Sequence, residues 1–139
     1  MSFNFELFDH PADTGIEAIA SSKEELFKGA LKGMAFILKP DLDKTKTKET
    51  LKEKIEVLSS DFDTLIADFL NEVLAKGEIN KGIFKEANIE KLTNNYIKAE
   101  IFGEKIDSLA KEIKAVTYHN LKIFQDKDGN WRARIIFDI

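Results

Sequence analysis

Four short segments of this 139-residue chain gather side chains able to coordinate a cation, move a proton or recognise a partner. In His10-Pro11-Ala12-Asp13-Thr14-Gly15, a carboxylate sits between Pro and Gly. Pro removes a donor and holds its predecessor extended, and Gly permits a turn, so Asp13 is a candidate oxygen ligand for a hard cation; it could equally cap its own turn through an Asx bond. In Ile135-Ile136-Phe137-Asp138-Ile139, Asp138 interrupts an apolar strand. With the Ile139 carbonyl or terminal carboxylate it offers oxygen ligands that Asp13 would complete, the other reading being a strand end with an outward acid. In Ile113-Lys114-Ala115-Val116-Thr117-Tyr118-His119, His119 reads as a proton shuttle, a metal ligand or a hydrogen-bonded core residue, and Lys114 as a functional or a solvated cation. In Asp68-Phe69-Leu70-Asn71-Glu72, two acids stand four apart on one helix, a mildly unfavourable spacing that suits either a partner or metal surface or a solvated acidic face.

Other chemistries are excluded by what is missing. There is no Cys, hence no disulfide, thiolate nucleophile or Cys-ligated metal. The sequence holds no P-loop, no G-x-G-x-x-G after a strand, no H-E-x-x-H and no G-x-S-x-G. Lys and Arg total 21 against 25 Asp and Glu, a formal net charge of −4, and only Arg132 and Arg134 are arginines. A basic footprint for direct DNA or RNA binding is therefore absent. No apolar run approaches the roughly 18 residues of a membrane span, and the first residues lack the pattern of a signal peptide, so the expectation is a cytoplasmic protein without membrane contact. Asp126-Lys127-Asp128-Gly129 looks like a truncated Ca²⁺ loop but lacks the spacing of one, and reads as a hairpin turn.

The elements that must position these residues follow from periodicity. Phe3, Phe5 and Leu7 alternate with polar residues, as do Ile16, Ala18 and Ala20, giving two strands around the Asp13 turn. Ser22 and Glu25 form a capping box for a helix carrying Leu26, Phe27, Ala30, Leu31, Met34, Ala35 and Leu38, which Pro40 stops. Residues 41–50 read as an exposed loop, and a strand follows from Leu51 to Ser59. Ser60 or Asp61 caps a second helix with the stripe Phe62, Leu65, Ile66, Phe69, Leu70, Val73 and Leu74, and Gly77 stands where its C-terminal cap would be. Strands are expected over Gly82–Leu92 and Tyr96–Phe102 around Asn94-Asn95, then a short helix over Ile106–Ile113. A hairpin from Leu121-Ile123 to Trp131–Phe137 closes the chain. With hairpins outnumbering βαβ units, residues 1–139 read as one α+β domain, a mostly antiparallel sheet with two main helices packed on it.

Taken together, these segments resemble the archease family, from Phe8 to Glu17, through Leu26-Phe27, Phe69 to Glu72, Gly103-Glu104 and Ile113 to His119, to Phe137-Asp138-Ile139. Phe69 stands where many members carry Trp, and Ala75 where an aromatic is frequent; both bear on helix packing. The resemblance implies an accessory protein, not an enzyme, that activates an RtcB-type RNA ligase in tRNA splicing and RNA repair. It would promote guanylylation of the ligase and its multiple turnover, meeting tRNA only through the ligase. It also implies a bound divalent cation, Ca²⁺ with Mg²⁺ or Mn²⁺ as alternatives, held by Asp13, Asp138 and Ile139, with Lys114, His119 and Glu72 as functional companions. Two other readings compete: a small metal-dependent phosphoesterase using His119 as acid–base, and a general chaperone or modulator of RNA-modifying enzymes.

Overall fold

Strand and helix periodicities separate in space into two antiparallel sheets with the helices between them. A computed structural model describes residues 2–10, 13–42 and 50–139. The strands are β1 (Phe3–His10), β2 (Asp13–Ala20), β3 (Thr50–Leu58), β4 (Gly82–Leu92), β5 (Tyr96–Lys105), β6 (Ala115–Val116), β7 (Lys122–Gln125) and β8 (Trp131–Asp138). The helices are α1 (Lys23–Leu38) and α2 (Phe62–Asn80). One sheet runs β1-β2-β8-β6, with β7 also paired to β8; the other runs β3-β5-β4. α1 packs on β1, β2 and β8 and also on β4, while α2 packs on β3, β4 and β5 and also on β6 and β7.

Both helices begin as their caps dictate. The Ser22 hydroxyl accepts from the Glu25 N–H at 3.1 Å, and the Asp61 carboxylate accepts from the Thr64 N–H at 2.7 Å. That hydrogen bond holds the Asp61 carboxyl below its usual value. The core is the set of inward positions. From β2 come Ile16, Ala18 and Ala20, and from β8 Ala133, Ile135 and Phe137. From the helices come Leu26, Phe27, Leu31, Met34, Leu65, Ile66, Phe69 and Leu70. Phe27 and Phe69 meet edge-on at 5.5 Å between ring centres, both fully buried, each contributing about 1.5–3 kcal/mol through burial.

Several expectations are corrected. Residues 106–113 form no helix, although Ile106, Leu109, Ala110 and Ile113 carry helical spacing. Their backbone donors are spent elsewhere: the Ile106 N–H donates to the Lys81 carbonyl at 3.1 Å, and the Ala110 N–H to the Leu38 carbonyl at 2.8 Å. The segment is an irregular strap laid across the ends of α1 and α2, with Ile113 buried beneath it. Gly77 is not a cap; α2 runs on to Asn80 and ends at Lys81 in the left-handed region (φ 54°). A Cβ at position 77 would stand 2.8 Å from the Gly82 carbonyl, so this glycine permits a close approach of helix and strand. In the 41–50 segment, Leu42 is buried and Thr50 already belongs to β3; residues 43–49 lie outside the described residues. The second strand begins at Asp13, three residues before its first apolar position.

Candidate functional site

The sheet register brings the two ends of the chain together. In β1–β2, His10 pairs with Asp13. In β2–β8, Asp13 pairs with Asp138. In β6–β8, Ala115 pairs with Asp138. One rung therefore crosses four strands as His10, Asp13, Asp138 and Ala115, and it sets two acids at directly opposed register positions. Asp138 is exposed. Its carbonyl accepts from the Lys114 N–H at 2.7 Å, so Lys114 is carried to the same end of the sheet. Ile139, partly buried, packs against the core immediately beyond the rung. The expected turn residues Pro11 and Ala12 lie outside the described residues.

The rung two positions inward is apolar. Phe8 pairs with Gly15 and Gly15 with Ile136, which is buried although it faces away from the helices. The Phe8 ring lies so close over Gly15 that a Cβ there would collide with it. The Arg134 guanidinium lies over the Phe8 ring, 4.0 Å from its centre. Thr117 donates its N–H to the Ile136 carbonyl at 2.9 Å, and its hydroxyl oxygen is buried with no hydrogen-bond partner among the described residues.

α2 holds this end of the sheet through a residue the sequence reading passed over. β6 has only two residues, with β8 on one side. On the other side the Asn71 amide donates to the Val116 carbonyl at 3.0 Å and accepts from the Val116 N–H at 2.8 Å, as a neighbouring strand would. Asp68 accepts from the Tyr118 hydroxyl and, at 2.5 Å, from the Ser59 hydroxyl. The hydrogen bond to Asp68, then burial, holds the Tyr118 hydroxyl above its ordinary value, so it stays a donor. Asp68 thus serves packing, and the spacing of Asp68 and Glu72 does not make a joint acidic face. One signal pointed here: Asn is a poor helix former, and Asn71 sits in mid-helix beside fully buried Phe69 and Leu70.

The other candidates are placed as follows. His119 is exposed, which excludes the core reading, and Lys114 and Glu72 are exposed as well. Both arginines are committed. Arg132 bonds Glu17 at 2.8 Å and Asp126 at 2.7 Å, and Arg134 covers Phe8. The Asp126 carboxylate also accepts from the N–H groups of Asp128 and Asn130, at 2.9 and 3.0 Å, which makes this loop a hairpin turn. Among the described residues, no three His, Asp or Glu side chains converge as a metal-binding group.

Comparison with known proteins gives one consistent result. The Archease protein family pattern matches residues 5–139. The Pyrococcus abyssi protein archease is 34% identical over 97% of this chain and 98% of its own. That of Methanosarcina barkeri is also 34% identical, over 97% and 95%. The solution structure of protein 1598 from Methanobacterium thermoautotrophicum superposes with a TM-score of 0.74 at 30% identity, covering 97% of this chain and 98% of that one. A crystal structure from Thermotoga maritima, described as an archease and possible chaperone, shares the fold with a TM-score of 0.63 at 23% identity, covering 95% and 94%.

Proposed function

The chain belongs to the archease family, and from that premise we propose that it is an accessory protein which binds a divalent cation and activates an RtcB-type RNA ligase. The observation that carries this reading is the rung that opposes Asp13 to Asp138, with Lys114 bound to the Asp138 backbone. Like charges directly opposite across strands are unfavourable, and a cation shared between them reverses the sign of that interaction. The donors fit a hard ion. Asp13, Asp138 and the Ile139 main chain offer only oxygen, which suits Ca²⁺, Mg²⁺ or Mn²⁺ and not a thiol-seeking metal. Exposure of Asp138 leaves room for water and for a partner's groups to complete the shell, the habit of Ca²⁺ sites. The buried Thr117 hydroxyl, two positions along the chain from Ala115 of the rung, is a further oxygen without a partner among the described residues.

When bound, the ion would supply a fixed positive centre on an acidic tip able to meet a ligase pocket that holds phosphates and metals. This chain's own part is to hold the two acids in register, with Lys114 fastened beside them through its N–H on the Asp138 carbonyl. The phosphoesterase reading is weaker: His119 is exposed, and both arginines are already engaged, Arg132 with Glu17 and Asp126 and Arg134 over the Phe8 ring. A general chaperone needs a broad apolar face, whereas the most exposed apolar residues, Leu58 and Ile79, stand on separate elements.

The test is guanylylation of a cognate ligase with labelled GTP, with and without this protein. Wild type is expected to stimulate the reaction and Asp13→Ala, at equal concentration and with its fold intact, to fail. Equal stimulation by the variant sinks the acidic-tip reading; no stimulation by wild type sinks the activator reading.

A further inference from the structure

We infer that Asn71 is the positioning residue of the acidic rung, acting from α2 through β6 as a one-residue substitute for a missing strand. The inference rests on the metal-binding reading above and extends it to a residue outside the rung. β6 is too short to hold itself on a sheet, because two residues supply a single rung or two of ladder. Its inner side is fastened to β8 through the Lys114 N–H on the Asp138 carbonyl (2.7 Å) and the Thr117 N–H on the Ile136 carbonyl (2.9 Å). Its outer side would be a bare edge at Val116 but for the Asn71 amide, which satisfies both main-chain groups of that residue (3.0 and 2.8 Å). Val116 is itself buried, so leaving those groups unpaired would be costly. One helical turn away, Asp68 fastens Tyr118, so the strand is gripped at two points by one helix. The grip fixes the backbone that carries Lys114 and that braces the Asp138 carbonyl. Small displacements there pass directly to the rung, because β8 is bonded to β6 at Asp138 itself.

Two measurements on the full chain separate this inference from the reading it rests on. The first is amide hydrogen exchange without metal. Asn71→Ala is expected to speed exchange of the Lys114 and Thr117 amides by about tenfold, the ratio that loss of one to two net hydrogen bonds produces, with amides of the β1–β2 ladder unchanged. The second is calorimetric titration with Ca²⁺ alone, at a temperature where every variant is folded. Asn71→Ala is expected to weaken binding by about tenfold, within the range for residues that orient ligands. Asn71→Asp, which keeps the acceptor for the Val116 N–H but loses the donor, should fall between. Phe62→Leu, a packing truncation in the same helix against Phe27, should lower the melting temperature without changing either readout. Unchanged exchange at Lys114 and Thr117 in Asn71→Ala overturns the inference. Altered exchange with no Ca²⁺ binding by wild type leaves the grip intact and overturns the metal reading instead. Equal losses in Asn71→Ala and Phe62→Leu reduce Asn71 to a general contributor to stability and also overturn the inference.

Discussion

On the outer side of the three-stranded sheet, Lys54 stands opposite Glu100 and Glu56 opposite Lys98, whereas at the end of the five-stranded sheet Asp13 stands opposite Asp138. The first surface is built so that neighbours neutralise each other. Lys52 reaches Glu100 at 3.5 Å, Lys98 reaches Glu90 at 3.8 Å, and the Tyr96 hydroxyl donates to Glu56 at 3.1 Å. Even its one like-charged rung, Lys91 opposite Lys98, is relieved, since Lys98 has Glu90 and Lys91 lies over the Tyr96 ring at 5.9 Å. Within the five-stranded sheet the same rule holds away from the end: Glu6 opposes Glu17, and Arg132 takes up Glu17. The rung at the margin differs in kind, with two acids opposed across β2 and β8, and on the proposed reading a cation balances them. If that reading holds, charge pairing across strands separates surface kept for stability from surface kept for binding.

The comparison can be broken most sharply at Asp138. Asp138→Asn should weaken Ca²⁺ binding on the order of 100-fold while leaving metal-free stability unchanged or raising it by a few tenths of a kcal/mol, because a like-charged pair has been removed. Calorimetric titration beside thermal melting reads both. A fall in metal-free stability would mean that the rung is as well compensated as the other sheet's surface. On that other sheet the opposite result is expected. Glu100→Lys places a third cation beside Lys52 and Lys54 and should cost about 1 kcal/mol in urea unfolding, with Ca²⁺ affinity untouched. The smallest effect concerns acid. Arg132, by its hydrogen bond, holds the Asp126 carboxyl below its usual value, with the Asn130 and Asp128 N–H groups adding to it. A folded value below the unfolded one, about 3.9, means that this stability is present above that pH and is lost as pH falls through the folded value. The melting temperature should therefore drop on acidification, and R132Q should flatten the drop in part, since Asp61 retains its own hydrogen bond from Thr64. A profile that R132Q leaves unchanged would remove Arg132 from this account.

What the sequence disclosed was local. The capping box at Ser22, the cap at Asp61, the stripe of α2 and the hairpin at Asp126–Asn130 are each written within a few adjacent residues, and each is found where it reads. The strap over 106–113 could not be read that way: Ile106, Leu109, Ala110 and Ile113 mimic a helix, but the carbonyls of Leu38 and Lys81 take their donors. Gly77 misleads for the same reason, since its purpose is a carbonyl on the next strand. At the site, Asp13 and Asp138 were candidates on residue chemistry and favoured by the resemblance, but their opposition needed the register of strands far apart in the chain. The roles of Asn71 and Asp68 depend on partners in the Val116–Tyr118 segment, far along the sequence, which no local pattern encodes.

β8 joins β2, β6 and β7, and it follows all three in the chain. Until it is in place, β2 belongs to a two-stranded ribbon, marginal in water, with Ile16, Ala18 and Ala20 lacking half their neighbours. The acidic rung closes only with the residue that ends β8. Docking of β8 therefore covers the free edge of β2 and assembles the rung in one event.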